Sequence, residues 1–506
     1  MADSHYSAAR LKRGLAYFGF GKAAAALLGL INFTLIVRLL PVPEYAAYVS
    51  IIAAMELAIA FSTLGLDWVG LRYLPEVRER GSGGDLRALV NRLCLYRAAS
   101  LACVALLGEV LLGWLTDHAR LQAFAPIANI YLGVLLAEGL LRFILGVVFD
   151  SLLLQAYGQS VLLVRNASFA AALAYAVPGA GISHVAHCEL AAAGLGLLLA
   201  LALLFFYVRA SPTASAQRAG VSALPDARQM RRMALHNYLS MLLNQPYSPQ
   251  ALLLLAGALL PASVTATLGF ARNLTELIRR YQPVEMLLGL VRPMLIADYA
   301  RKRDFAGLAR LSQLVYKLSL LALCPVLVAC TAYGDLLIAA LAKQKYPEAY
   351  WLVVGLAWTL VLRSHRLLVG TMANVLDQPQ LLTRTALATL VVLPISVAGF
   401  TLGHGAATLF VAACVEELLG NWIIVRGIRA LGYEYAPPWP AMARVAGIGA
   451  ALSGVLILGR CWDLPASWLM LQVTVAIGCV LGLVLASGYF DAPERSTLRG
   501  LAGLGV

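Results

Sequence analysis

Three arginines and one glutamate share a stripe of one predicted helix near the middle of the chain. Arg272, Glu276, Arg279 and Arg280 stand at i, i+4, i+7 and i+8, a spacing that puts them on a single helical face. Glu276 is four residues from both Arg272 and Arg280 and can pair with either. One carboxylate does not neutralise three guanidinia, so the surplus positive charge calls for an anion. Guanidinium grips phosphate oxygens in a planar, bidentate fork, which makes the stripe a candidate diphosphate site. The competing reading is a structural network of ion pairs between helices, with Glu56, Glu138 or Glu285 as partners.

Ionisable residues recur inside other apolar runs. Lys22, Arg97, Arg142, Arg165 and Arg366 add cations, and Glu56, Glu109 and Glu138 add carboxylates. At a bilayer centre each costs about 2.5–3.5 kcal/mol on insertion scales, so they must pair with one another or line a watery cavity. Arg363, Glu416 and Glu417 lie near predicted helix ends, where long side chains reach the interface. Glu138 and Arg142 are four apart and fit a plain structural pair as well as a site. The cations Lys22, Arg97, Arg142 and Arg165 join the stripe as candidate anion-binding groups; Glu56, Glu138 and Glu276 are candidate ion-pair or coupling groups.

A run from Asn244 through Gln245, Pro246, Tyr247, Ser248 and Pro249 to Gln250 interrupts an apolar stretch. Proline removes a backbone donor and bends a helix, and broken backbone at membrane depth is tolerated only against protein or a wet cavity. Asn244, Pro246 and Pro249 therefore mark either a hinge or gate, or a simple kink. Asn32 fits a hydrogen bond between helices. His184 and His187 have no carboxylate or thiol set around them, so no metal site is expected. No phosphate-binding loop and no catalytic constellation occurs, so neither an enzyme nor a cofactor is expected.

The elements that must position these groups follow from composition. Of 506 residues 61% are hydrophobic and 13% charged, with a mean hydropathy of +0.78. A soluble domain carries about 25% charged residues, and this chain lacks the polar surface to cover itself in water. The eight cysteines are scattered and read as buried free thiols. No cleavable signal peptide is evident. Spanning helices of about 20 apolar residues are expected at 15–39, 45–66, 93–115, 127–154, 160–177 and 188–208. After a polar, basic linker over 209–232, six more fall at 233–254, 263–290, 311–333, 350–372, 385–402 and 406–428. A last pair lies at 442–458 and 468–489, about fourteen in all.

Lys and Arg concentrate in alternate loops. Arg72, Arg78, Arg80, Arg87 and Arg92 follow span two, and Arg292, Arg301, Lys302, Arg303 and Arg310 follow span eight. The opposite side holds Arg120, Lys343, Lys345 and Arg460. The bias puts both termini in the cytoplasm. The net charge of +13 is largely this topology signal, and nucleic acid is not an expected partner because no basic stripe is interleaved with aromatics on a soluble domain.

A shift of about 220 residues lays Leu39-Leu40-Pro41 on Leu259-Leu260-Pro261, Glu56 on Glu276 and Arg72 on Arg292. Six spans is an even number, so the two halves run parallel, with a pseudo-twofold along the membrane normal. The fold class expected is all-α: a polytopic membrane protein of two six-helix lobes plus two extra C-terminal helices. The lobes would occupy 1–215 and 216–435, with accessory helices and a cytoplasmic tail over 436–506. Two such lobes enclose a central cavity that opens to either side as they rock.

On this plan the chain resembles the multidrug/oligosaccharidyl-lipid/polysaccharide (MOP) exporter superfamily. The turn Arg38-Leu39-Leu40-Pro41-Val42-Pro43-Glu44-Tyr45 resembles its polysaccharide-transporter branch, the Wzx-type flippases, as does the Tyr-Pro-x-Ala-Tyr start of span ten at Tyr346. The resemblance covers about 1–435. It implies a bacterial inner-membrane flippase that moves a polyprenyl-diphosphate-linked oligosaccharide to the outer leaflet for exopolysaccharide, O-antigen or capsule synthesis. The implied partners are the lipid-linked oligosaccharide and membrane lipids, with a polysaccharide polymerase and other assembly proteins as further candidates. Three alternatives stand beside it. A drug/cation antiporter of the same superfamily would need acidic cavity residues where this chain has Lys22 and a net-positive span eight. A non-transporting component of a secretion complex makes no demand on the sequence. A membrane-embedded glycosyltransferase would need a sizeable outer loop, and the outer loops are short.

Overall fold

The structure is a computed structural model that describes residues 8–80, 82–118, 125–175, 180–210, 226–282, 284–285, 299, 303–376, 378–460, 466–492 and 494–496. Among them every regular element is helical, and ten helices are long and apolar enough to cross a membrane. The chain folds as two compact units, Met1–Ala266 and Thr267–Val506.

The first unit begins with α1 (Ala8–Leu39) and α2 (Val42–Phe61). Prolines at 41 and 43 suit the start of α2, because the first turn of a helix has no use for their missing N–H. After α3 (Leu66–Arg80) and α4 (Gly83–His118) comes α5 (Ala125–Phe143), which widens into a π-helical stretch over Ile144–Phe149. Then follow α6 (Gln155–Ala174), α7 (Ile182–Ala210), α8 (Ala227–Asn244) and α9 (Pro249–Leu259). α1 packs along α6, α7 lies between α5 and α6, α9 packs on α2 and α8 on α3. Leu74, Leu89, Leu141, Ile144 and Phe149 centre one core of this unit.

The turn between α2 and α3 is sterically fixed. Gly65 has φ +73°, and a Cβ there would sit 2.1 Å from the Ala234 carbonyl oxygen of α8. Tyr238 of α8 donates to the Phe61 carbonyl at 2.9 Å beside it. The left-handed backbone alone costs a non-glycine residue about 1–2 kcal/mol, and the clash adds to it. Gly65→Ala should therefore lower the melting temperature of the purified protein in detergent. An unchanged melting curve would show that α8 can draw away from the turn without cost.

α10 (Ala262–Arg280) carries the chain into the second unit. There α11 (Phe305–Ala342) and α12 (Ala349–Val375) pack lengthwise. α13 (Pro379–Thr389), α14 (Val392–Thr401) and α15 (Ala406–Ala430) follow, with both short helices against α15. α16 (Trp439–Gly459) and α17 (Ala466–Ala486) lie against α11. The chain after α17 folds back onto α11. Tyr489 donates to the Lys317 carbonyl at 3.1 Å, and the buried Lys317 ammonium meets Glu494 at 2.8 Å and Asp491 at 3.6 Å.

Two stretches read as single spans are each divided. Residues 233–254 form α8 and α9 with a 3₁₀ turn, Gln245–Tyr247, between them. Residues 385–402 cross the break between α13 and α14 at Leu390 and Val391.

Candidate charged sites of the two units

In the first unit, α5, α6 and α7 carry a buried polar cluster. Glu138 of α5 is met by Arg142 Nε at 3.0 Å, one turn on, and by Arg165 Nη2 of α6 at 3.2 Å. Arg165 Nη1 also donates to Asn166 Oδ1 at 3.0 Å, and the Asn166 carbonyl accepts from Asn32 of α1 at 3.1 Å. Arg142 further interacts electrostatically with Glu56 of α2 and Glu189 of α7. Glu56 accepts from the Gln250 amide at 2.9 Å, and Glu189 accepts from the Tyr131 hydroxyl at 3.2 Å.

The polar break between α8 and α9 is tied into this unit. Tyr247 bonds back to the Asn244 side chain, Ser248 caps α9 by accepting from the Ala251 N–H at 3.2 Å, and Pro246 and Pro249 occupy first-turn positions of the 3₁₀ turn and α9. Gln250 is thereby aimed at Glu56. Two other cations stand apart. Arg97 of α4 is 2% exposed and donates from Nη2 to the Ile59 carbonyl at the end of α2, 3.1 Å away. Lys22 of α1 is half-buried and interacts with Asp150, beyond the π-helical stretch.

In the second unit Arg279 lies between two carboxylates. Its Nε donates to Glu276 Oε2 at 2.7 Å, its Nη2 bonds Glu276 Oε1, and its Nη1 meets Glu285 at 2.5 Å. Arg280 is more exposed and approaches Glu276 at 3.4 Å. The sequence pattern offered Arg272 or Arg280 as the partner of Glu276; the shortest contacts belong to Arg279, three residues on. Arg272 lies one turn earlier, half-buried.

A second network joins α12 and α15. Arg366 meets Glu416 Oε1 and Glu417 Oε2, each at 2.7 Å, and Arg363 meets Glu417 at 3.5 Å. Instead of reaching an interface, Arg363, Glu416 and Glu417 pair internally. His365, from the same turn of α12, contacts Asn421 at 2.6 Å and Tyr435 at 3.0 Å. Near the end of α16, Arg460 makes a two-pronged bridge to Asp335 with contacts of 2.8 and 2.7 Å, and this bond holds its guanidinium above the usual arginine range.

Glu189 and Lys317 escape the pattern of charges drawn from the sequence, although each is a lone charge in an apolar run and the same rule flags it. Among the described residues no three His, Cys, Asp or Glu side chains gather as a metal site.

The sequence model described as "Polysaccharide biosynthesis protein" matches residues 11–290. No curated protein matches the chain in sequence. Among solved structures, one described as lipid II flippase MurJ in an inward closed conformation superposes with a TM-score of 0.65 at 10% identity, covering 92% of this chain and 97% of that one. An inward-facing multidrug resistance MATE family transporter of the MOP superfamily superposes with a TM-score of 0.57 at 13% identity, covering 81% and 96%. At these identities the likeness is one of fold.

Proposed function

Since the chain belongs to the polysaccharide biosynthesis protein family and has the fold of the MOP exporter superfamily, we propose that it is a flippase for a polyprenyl-diphosphate-linked oligosaccharide. The observation that carries the reading is the arginine group of α10. Arg272, Arg279 and Arg280 stand along one stripe of that helix, and guanidinium is the side chain that forks onto phosphate oxygens. In this reading Arg272, Arg279 and Arg280 hold the diphosphate while the lipid tail stays in the bilayer. The lobes are those of the repeat, 1–215 and 216–435, with 436–506 accessory. Both termini lie in the cytoplasm, and the protein sits in a bacterial inner membrane beside the enzymes that assemble and polymerise the glycan. An inside-negative potential favours outward movement of a negative headgroup by about 2.3 kcal/mol per charge per 100 mV.

The test is reconstitution into liposomes with a short-chain fluorescent polyprenyl-diphosphate sugar in the inner leaflet. Protein-dependent appearance of the label to an impermeant quencher outside is the expected result. No movement of the lipid, together with pH-gradient-driven efflux of a cationic dye, would favour the antiporter instead.

A further inference from the structure

The polar cluster of the first unit shares its cations unevenly. Glu138 and Glu189 both interact with Arg142 and Arg165, and Glu56 interacts with Arg142. The three carboxyls are not equivalent. Glu138 is held by both arginines at 3.0 and 3.2 Å. Glu56 takes an amide N–H from Gln250 at 2.9 Å. Glu189 is 6% exposed, and among the described residues its hydrogen-bond partner is the neutral hydroxyl of Tyr131. A buried carboxylate without a paired cation is costly in a membrane and is relieved by taking up a proton.

We infer that Glu189 is a proton-binding site, and that Arg165 is the cation that turns to it when the proton leaves. The groups packed around it support the assignment. From α5 come Tyr131, Glu138 and Arg142; from α6, Arg165; from α2, Tyr48, with Glu56 further along. α4 reaches α7 through Arg87 on the Val208 carbonyl, at the far end of α7. On α7 itself His184 is engaged with Cys188 at 3.4 Å and His187 with the Ser183 carbonyl at 2.8 Å. Arg165 already leans toward both acids, since it interacts electrostatically with Glu189 while bonded to Glu138. Exchanging one for the other needs a change of side-chain direction and no new charge.

A row of polar side chains on α2 leads toward Glu189. Glu44, in the first turn of α2, accepts from the Ile182 N–H that opens α7, at 2.7 Å. Tyr45 follows it, its ring 6.1 Å from that of Tyr48, which lies 6.5 Å from the ring of Tyr131. The line ends on Glu189, seven residues into α7 and so about 10 Å from its start. On the orientation that the loop charges predict, Glu44 belongs to the outer side, and a proton would enter from that face. The assignment requires no knowledge of the substrate; only its use in coupling rests on the flippase reading.

The test is pH-difference infrared spectroscopy of the purified full-length protein in lipid nanodiscs. The wild type should show a titrating carbonyl band of a buried protonated carboxylic acid. Glu189→Gln should abolish it, Glu56→Gln should keep it, and Glu138→Gln, which frees Arg165 to turn to Glu189, should move its titration to lower pH. Tyr131→Phe should shift the band, because its hydrogen bond is lost. If Glu189→Gln fails to assemble, Glu189→Asp must move the band. A band that survives Glu189→Gln, or is unmoved by both Tyr131→Phe and Glu189→Asp, overturns the assignment. These outcomes stand whether or not the liposomes flip lipid.

Discussion

Cells carrying Arg272→Ala, Arg279→Ala and Arg280→Ala together should lose export of the glycan. Each charge-assisted hydrogen bond to the headgroup contributes about 1.5–3 kcal/mol, so loss of all three predicts a fall of roughly a hundredfold or more. The triple change also strips Glu276 and Glu285 of Arg279, which holds both at 2.7 and 2.5 Å. A companion variant with Glu276→Gln added removes one of those stranded charges and separates loss of binding from loss of folding. Replacement by lysine should restore part of the activity, since an ammonium supplies charge without the planar fork. Wild-type export from the triple variant, at equal membrane abundance by blot, would remove these arginines from substrate handling.

The second large effect is on stability. Glu138→Ala leaves Arg142 and Arg165 in the first unit without the carboxylate they share. Breaking a buried ion pair from one side costs about 3–5 kcal/mol, comparable with the whole stability of a modest domain. Glu138→Ala should thus sharply reduce the protein recovered after detergent extraction and heating. Arg165→Met in the same chain should recover much of it, because that charge then needs no partner. Equal recovery of wild type and Glu138→Ala would mean the two arginines find other anions at no cost.

Hydropathy makes most of the helices legible, because a bilayer accepts few alternatives to a long apolar helix. Their interruptions are less so. Pro246 and Pro249 announce a break, and the structure places a 3₁₀ turn there. The break at Leu390 has a quieter mark in Pro394, four residues on, which cannot donate to the Leu390 carbonyl although the apolar run continues. The charged groups divide in the same way. Glu138 and Arg142 are one turn apart on one helix, and their contact is readable from spacing. Arg165 reaches the same carboxylate from another helix, which only packing decides. Glu285 is open as a partner for the stripe, but its contact to Arg279 depends on the chain turning after Arg280, beyond any helical period. Glu189 is missed for a different reason: it has no charged neighbour at helical spacing to draw attention to it.

The segment that follows α17 bears on how the protein is made. Lys317 reaches its place 177 residues before Glu494, its closest partner. At a synthesis rate of about 5–20 residues per second, the ammonium waits roughly 10–35 s for that carboxylate to leave the ribosome. During that interval α11 holds an unmatched charge, and the second unit cannot reach its final arrangement however early its other helices are inserted. The place of Lys317 is therefore closed only once the segment that carries Asp491 and Glu494 has been made.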